Sequence, residues 1–384
     1  MIIEPPPLSL YLHLPWCVRK CPYCDFNSHT LRDASDRDRY VDALLRDIEK
    51  EAQRAGGRPL HSIFMGGGTP SLFSASQVQR ILDGVRANFA LRADTEVTME
   101  ANPGTVECDA PAGYRDAGVN RISVGAQSFS DTSLQVLGRI HSAADIERAV
   151  NDIRGAGFDN FNIDLMYALP GQDAAAALQD IERAAALGPS HISWYQLTLE
   201  PNTVFHARPP EGLPGDDAVW EIQEQGQARL ADLGFEQYEV SAYARDGRHC
   251  RHNLNYWSFG DYLAAGAGAH GKVTDGDDIL RYTKPANPLM YMQCIEQGAE
   301  FVAPQPVEGA DRVFEYMLNA LRLGAGFAET DFEKRTGLSA EVLQQALSSL
   351  AARELLMQPE KGHWRPTMLG KRFLNDLQAS FLQD

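Results

Sequence analysis

The sequence predicts an α/β protein: an open, partial (β/α)6 barrel followed by an extension and a small winged-helix-like C-terminal domain. Three observations predict it. Short apolar runs alternate with longer stretches of helical period through the first half of the 384 residues, a pattern that favours parallel strands covered by helices. These units number six, fewer than the eight of a closed barrel. Polar or glycine-rich residues recur just after the apolar runs, where the chemistry of parallel barrels gathers.

The expected strands are 8–14, 61–65, 96–100, 121–124, 161–166 and 191–197. Between them, 39–54, 76–88, 143–155 and 174–187 carry apolar stripes at helical spacing. The strand-end signals are Gly66-Gly67-Gly68-Thr69, Glu100-Ala101-Asn102-Pro103, Gln127, Asp164 and Thr198. Any one of them alone is an ordinary turn residue; repeated on successive strands, they point to one cavity. The glycine- and proline-rich stretch 208–215 is a loop and divides the chain. The expected domains are 1–208, an extension 209–308 with a helix at 217–233 and a strand pattern at 235–243, and a C-terminal module 309–384. That module is mostly helical to Leu355, with a short hairpin near Trp364-Arg365-Pro366-Thr367 and a final helix over 371–382.

Composition narrows the function. A formal charge of −17 argues against general nucleic-acid binding, which rewards a basic surface. The C-terminal module is therefore expected to pack or bind a partner and not DNA. No apolar run approaches the roughly 20 residues of a membrane span, and Met1–Pro7 lacks the basic start and apolar stretch of a secretory leader. Six cysteines, three of them clustered, do not form a disulfide scaffold; thiolate ligands fit the reducing cytoplasm.

The cluster is Cys17-Val18-Arg19-Lys20-Cys21-Pro22-Tyr23-Cys24, with no fourth cysteine nearby. Three thiolates on one loop hold three corners of a cubic [4Fe–4S] cluster and leave one iron open to a substrate. A structural zinc site needs a fourth ligand, for which His13 and His29 are the nearby candidates. Three unrelated buried cysteines are a weaker alternative, because Pro, Arg and Lys interrupt them. The Gly66–Ser71 turn lets backbone approach a ligand closely but lacks the Lys-Ser/Thr ending of a phosphate loop.

These motifs resemble the radical S-adenosylmethionine (SAM) superfamily, in which SAM occupies the open iron. The resemblance narrows to the oxygen-independent coproporphyrinogen oxidase family and its heme chaperone branch. It rests on Tyr11 ahead of the cluster loop, the three cysteines, the GGGTPS turn, the EANP corner, Arg121–Phe129, Gly138-Arg139-Ile140-His141 and Asn162–Gln172, and it covers nearly the whole chain. It implies a SAM site made by Tyr11, Gly67, Gly68, Thr69, Glu100, Gln127, Arg139 and Asp164, with Tyr23 and Thr198 beside it. Chemically, Glu100 and Asp164 accept from an ammonium or ribose group, and the Arg139 fork holds a carboxylate. Surface ion pairing is the alternative for each.

Two departures separate the chain from the oxidase. Phe26 stands where the oxidase has a further cysteine, and the oxidase carries a longer stretch ahead of its cluster loop. A positive feature is His252-Asn253-Leu254-Asn255-Tyr256-Trp257, similar to the H-N-x-x-Y-W motif of the heme chaperone branch. Imidazole is a common axial ligand of heme iron, and aromatic rings pack on porphyrins. His249, Cys250 and His252 lie close together, and the motif favours His252. A lone histidine is more often structural. The resemblance thus implies a chaperone that binds heme and passes it to cytoplasmic or membrane-associated hemoproteins, with the cluster promoting a homodimer. The alternative is a radical SAM enzyme acting on a porphyrinogen; no residue is assigned as catalytic.

Overall fold

The computed structural model describes residues 3–104, 109–299, 301 and 303–382. Among them, twelve strands form one sheet: β1 (Leu8–Leu14), β2 (Leu60–Gly67), β3 (Leu91–Ala101), β4 (Arg121–Gln127), β5 (Phe161–Tyr167), β6 (His191–Gln196), β7 (Glu236–Glu239), β8 (Ala242–Ala244), β9 (Asp261–Ala265), β10 (His270–Asp275), β11 (Asp278–Thr283) and β12 (Gln305–Pro306). Their spatial order is β12-β11-β10-β9-β1-β2-β3-β4-β5-β6-β8-β7. The run from β9 to β6 is parallel, and both flanks are antiparallel. The end strands β12 and β7 do not pair, so the sheet is an open partial barrel.

All six expected strands are present, with β3 starting five residues earlier than expected, at Leu91. The covering helices are Asp36–Ala55, Ala75–Asn88, Ala143–Gly155 and Ala174–Ala186. Ser74 and Ser142 start two of them with capping boxes, which satisfy otherwise orphaned N–H groups. Strand alternation sorts the two faces. Leu8, Leu10, Leu12 and Leu14 of β1 pack with Val41, Leu44 and Ile48 in the apolar core. The other face carries Ser9, Tyr11 and His13 on β1, Ser62 and Phe64 on β2, Glu96 and Glu100 on β3, Ser123 on β4 and Asp164 on β5. This inner face is polar, and it points into the half-barrel.

The extension departs from expectation. The strand foreseen at 235–243 is two strands, because Glu239 Oε2 accepts from Ser241 N (3.1 Å) and Ser241 Oγ (3.3 Å) and so turns the chain. The sequence reading also missed β9, which adds a seventh parallel strand beside β1 with Ser9 opposite Tyr262. Asn255 fastens it, donating to Ser9 Oγ (2.9 Å) and Asp261 O (2.8 Å). Gly260 is required there, since a Cβ would lie 1.9 Å from Asn255 Oδ1. The β10–β11 hairpin follows, its turn carrying Gly276 at φ 60°.

The C-terminal part has helices Gly309–Ala320, Glu329–Thr336 and Gln344–Ala352, then a hairpin, Leu356–Glu360 with His363–Pro366. The single helix expected over 371–382 is two, Met368–Arg372 and Leu374–Ala379, because Phe373 leaves helical geometry at φ −108°, ψ 43°. This part builds its own core around Met317, Phe332, Leu347 and Leu377, which also takes in Ile3, Phe259 and Ile279.

Asp261 is fully buried and accepts from Lys272 Nζ (3.0 Å), Arg58 Nη1 (2.8 Å) and Thr274 N (3.0 Å). Its removal strands the equally buried Lys272 ammonium. Asp261→Ala should therefore cost about 3–5 kcal/mol in urea unfolding, and Lys272→Met clearly less, because Arg58 still faces the carboxylate.

Candidate functional site

The C-terminal ends of the parallel strands open into a cleft of about 240 Å³. Over it lies the cysteine loop, closed at its base where Trp16–Cys17 pairs with His29–Thr30. The glycine turn after β2 packs directly under this loop. Gly68 N donates to Leu14 O (2.8 Å) and Thr69 N to Trp16 O (2.7 Å). A Cβ on Gly68 would sit 2.6 Å from the Pro15 and Trp16 backbone, so no other residue allows this approach.

A chain of hydrogen bonds ties two of the cysteines to the strand ends. Thr69 Oγ1 donates to Cys17 Sγ (3.5 Å), Asn102 Nδ2 to Thr69 Oγ1 (2.8 Å), Arg139 Nη2 to Asn102 Oδ1, and Arg139 Nη1 to Cys21 Sγ (3.7 Å). Cys24 Sγ lies 3.6 Å from Ser28 Oγ. Burial raises the Cys17 and Cys24 thiols above their usual range, so iron must displace protons to bind there. All three cysteines line the cleft. Among the described residues no three His, Cys, Asp or Glu side chains converge as ligands of one ion; on a cubic cluster each thiolate takes a separate iron. His13 has both ring nitrogens engaged, by Tyr11 OH (3.1 Å) and Asn27 O (2.8 Å).

Beneath the loop the barrel interior holds two carboxylates. Asp164 accepts from Ser123 Oγ (3.0 Å) and Asn162 Nδ2 (2.7 Å). Glu100 accepts from Gly67 N (3.2 Å), the one hydrogen bond to its side chain among the described residues. Burial, then the neighbouring Asp164 charge, pushes Glu100 up to about 8. Burial also raises Asp164. Gln127 ends β4 at φ 71° and accepts from Tyr195 OH (2.7 Å). Arg139 also donates to Gly125 O (2.7 Å), and its buried Nε has no partner among the described residues.

Cys17, Cys21, Tyr23, Cys24, Gly67, Gly68, Thr69, Glu100, Gln127, Arg139, Asp164 and Thr198 thus share one cleft. Tyr11 does not line it. Its hydroxyl turns to His13, and its ring lies on Phe64, centroids 6.3 Å apart. Asn102 of the EANP corner lines the cleft as expected, while Ser123 and Tyr195 were missed as lining residues. Their signal was available: Ser123 and Tyr195 fall on the polar phase of their strands.

His252, the expected heme-iron ligand, lies buried in the fold. It is 1% exposed. Its Nδ1 lies 3.0 Å from Ser62 Oγ and its Nε2 3.1 Å from Tyr256 OH. The helix Arg251–Trp257 is seated on Glu96, which accepts from Arg251 N (3.2 Å) and His252 N (3.1 Å). Burial lowers the imidazole to about 3, so it is neutral at ordinary pH. As folded, the motif fastens the extension to β1–β3.

A three-cysteine loop over the C-terminal edge of an open parallel barrel defines a radical SAM protein, and the comparisons agree. The Radical SAM superfamily profile matches residues 11–184, and that of the HemN C-terminal domain matches 307–373. The heme chaperone HemW of Escherichia coli K12 is 50% identical over 384 residues, covering 100% of both chains. That of Haemophilus influenzae Rd is 47% identical over 99% of both, and that of Bacillus subtilis 168 is 32% identical over 97% of this chain and 99% of its own. Among solved structures, coproporphyrinogen III oxidase (HemN) of E. coli, a radical SAM enzyme, aligns with TM-score 0.82 and 25% identity, covering 98% of this chain and 90% of that one. The chain belongs to the HemW family of radical SAM proteins.

Radical SAM membership implies a [4Fe–4S] cluster and SAM, and the cleft fits both. Three thiols face it, a glycine turn too tight for a Cβ borders it, and Glu100 lacks a cationic partner that an ammonium would supply. The partnerless Arg139 Nε adds a donor. Cys17, Cys21 and Cys24 would hold the cluster and leave one iron for SAM, which the strand-end residues would orient; a reduced cluster would supply an electron to the bound SAM.

Alanine at any one of Cys17, Cys21 or Cys24 should remove most of the approximately four irons per chain that anaerobic reconstitution supplies. Full retention in the triple variant would exclude a cluster here. Below about pH 8 the Glu100 carboxyl takes up a proton and no longer attracts a cation. SAM affinity should therefore rise from pH 6 to 7.5, by up to about tenfold per unit, and Glu100→Gln should flatten the rise. Asp164→Asn should weaken SAM binding by about 1–3 kcal/mol with the cluster spectrum intact.

Proposed function

We propose that this chain is a heme chaperone that holds a SAM-bound [4Fe–4S] cluster and passes heme to acceptor hemoproteins, soluble or membrane-associated, in the cytoplasm. The full-length likeness to chains named heme chaperone carries the reading. Phe26 supports it: 59% exposed at the mouth of the cluster cleft, it puts a ring where the resemblance gives the oxidase a thiol. No helix among the described residues is long and apolar enough to cross a membrane, so contact with a membrane acceptor would be peripheral. Val18, Phe26 and Ile140 form an apolar rim at that mouth, a surface suited to a second copy and hence to the homodimer.

In this reading His252 reaches heme iron only after its ring leaves Ser62 and Tyr256. Its neutral imidazole suits a ligand, but two hydrogen bonds must break first. Heme uptake is then slow and gated by the motif helix. The second reading, a radical SAM enzyme acting on a porphyrinogen, draws on the HemN likeness and on the complete cleft.

Hemin added to the reconstituted protein should produce a shifted Soret band, and coproporphyrinogen III should remain unconverted. Tyr256→Phe frees Nε2 and should speed the Soret change several-fold, while His252→Ala should abolish it in protein that still melts cooperatively. Stoichiometric heme with an unchanged spectrum in folded His252→Ala would remove this ligand. Robust conversion to protoporphyrinogen IX without heme uptake would establish the enzyme instead.

A further inference from the structure

A second cleft, of about 300 Å³, shares no lining residue with the first. It lies between the helix Asp216–Asp232, the edge strand β7 and the C-terminal helix Met368–Arg372. Its walls combine apolar side chains, Val240 and Met368 among them, with Trp220. Val240 is 37% exposed and Met368 65%, so the walls leave apolar surface open to solvent.

Cations gather at this rim in a chain whose formal charge is −17. Arg372 stands 4.2 Å over the Trp220 ring and pairs with Glu224 at 2.5 Å. Arg322 pairs with Glu239 and stands 4.4 Å over Trp257, the last residue of the His252–Trp257 motif. Lys371 has no acidic partner among the described residues, and burial with Arg365 nearby lowers its pKa. The position of Lys371 is set by packing. Thr367 caps its helix through Gly370 N (3.0 Å), and a Cβ on Gly370 would lie 2.0 Å from Leu355 O.

We propose that this cleft is the seat of the heme cargo: the macrocycle lies on Trp220 and Met368, and its propionates meet Lys371 and the neighbouring arginines. The proposal rests on the chaperone reading. A planar apolar ligand carrying two carboxylates matches an apolar wall beside Lys371, which has no acidic partner among the described residues, and beside two arginines paired with Glu224 and Glu239, more closely than an apolar or a cationic ligand would. A seat whose Met368 wall is 65% exposed also suits a cargo that is handed on. The cleft adjoins Trp257 through Arg322, so it lies next to the motif helix. His252 sits farther along that helix, and its ligation to iron would follow capture at the rim.

The test titrates the full-length reconstituted chain with hemin and with iron-free protoporphyrin IX, following tryptophan quenching. Lys371→Glu should weaken both ligands at least tenfold, while Lys371→Arg should stay within about twofold of wild type. Val240→Glu, on the opposite wall, should reproduce the loss if Lys371→Glu fails to melt cooperatively. His252→Ala should leave protoporphyrin IX capture intact, since that ligand has no iron. If wild type binds hemin and neither charged variant changes its affinity, the seat is elsewhere and the chaperone reading survives. If wild type binds no hemin, the chaperone reading fails and this proposal with it.

Discussion

The structure depends on how an open sheet carries a polar inner face without closing. A closed barrel fills its interior with apolar layers; here the inner face presents Glu100 and Asp164, both buried. Burial penalises the charged form of each, and Glu100, pushed up to about 8, shows how strongly. Such groups persist where a ligand supplies the missing charge. The surrounding features serve that vacancy in charge. The glycine turn admits the cysteine loop, Asn102 and Arg139 link loop to strand ends, and the apolar outer face lets the helices hold the strands rigidly enough to keep the two carboxylates together.

Rigidity at the other end of the half-barrel comes from the extension. Glu96 receives the N-terminus of the helix Arg251–Trp257, Ser62 and Ser9 reach His252 and Asn255, and β9 extends the parallel sheet beyond β1. Asp261 then faces two cations in a dry setting. Polar seams of this kind add little net stability over apolar packing, but they punish partial loss. They fix one register for β9, where a short run of Tyr, Leu and Ala would otherwise specify little.

Most of this fold was legible because strand and helix periods differ and because the outer face is strictly apolar. Leu8, Leu10, Leu12 and Leu14 announce β1 without help from any neighbour. The extension was not legible in the same way. The turn between β7 and β8 depends on Glu239 capturing Ser241, a contact that no periodicity reveals. For β10 and β11, Asp275-Gly276 was a hairpin signal that the strand count passed over. In the site, residue types at strand ends pointed to the two carboxylates, the cysteine spacing to the cluster loop, and the family resemblance to Arg139. Tyr11 was misplaced because a motif fixes position along a strand but not depth within the barrel, and its hydroxyl finds His13 first. The burial of His252 was not legible for a related reason. The chemistry of imidazole as a ligand was visible, while the Ser62 and Tyr256 partners that enclose it lie far apart in sequence or behind one helical turn.

The motif helix therefore has two ends with different neighbours. Its first turn is bound to Glu96 and Ser62 in the barrel; its last residue, Trp257, lies under Arg322 at the second cleft. Seven residues of helix span only about 10 Å, short enough to move as one body. Tyr11 carries this seam toward the first cleft, its ring 6.4 Å from His252 and its charge environment tied to Glu100. The physical continuity from the second cleft to the first thus runs through residues whose hydrogen bonds, not their exposure, hold the motif in place.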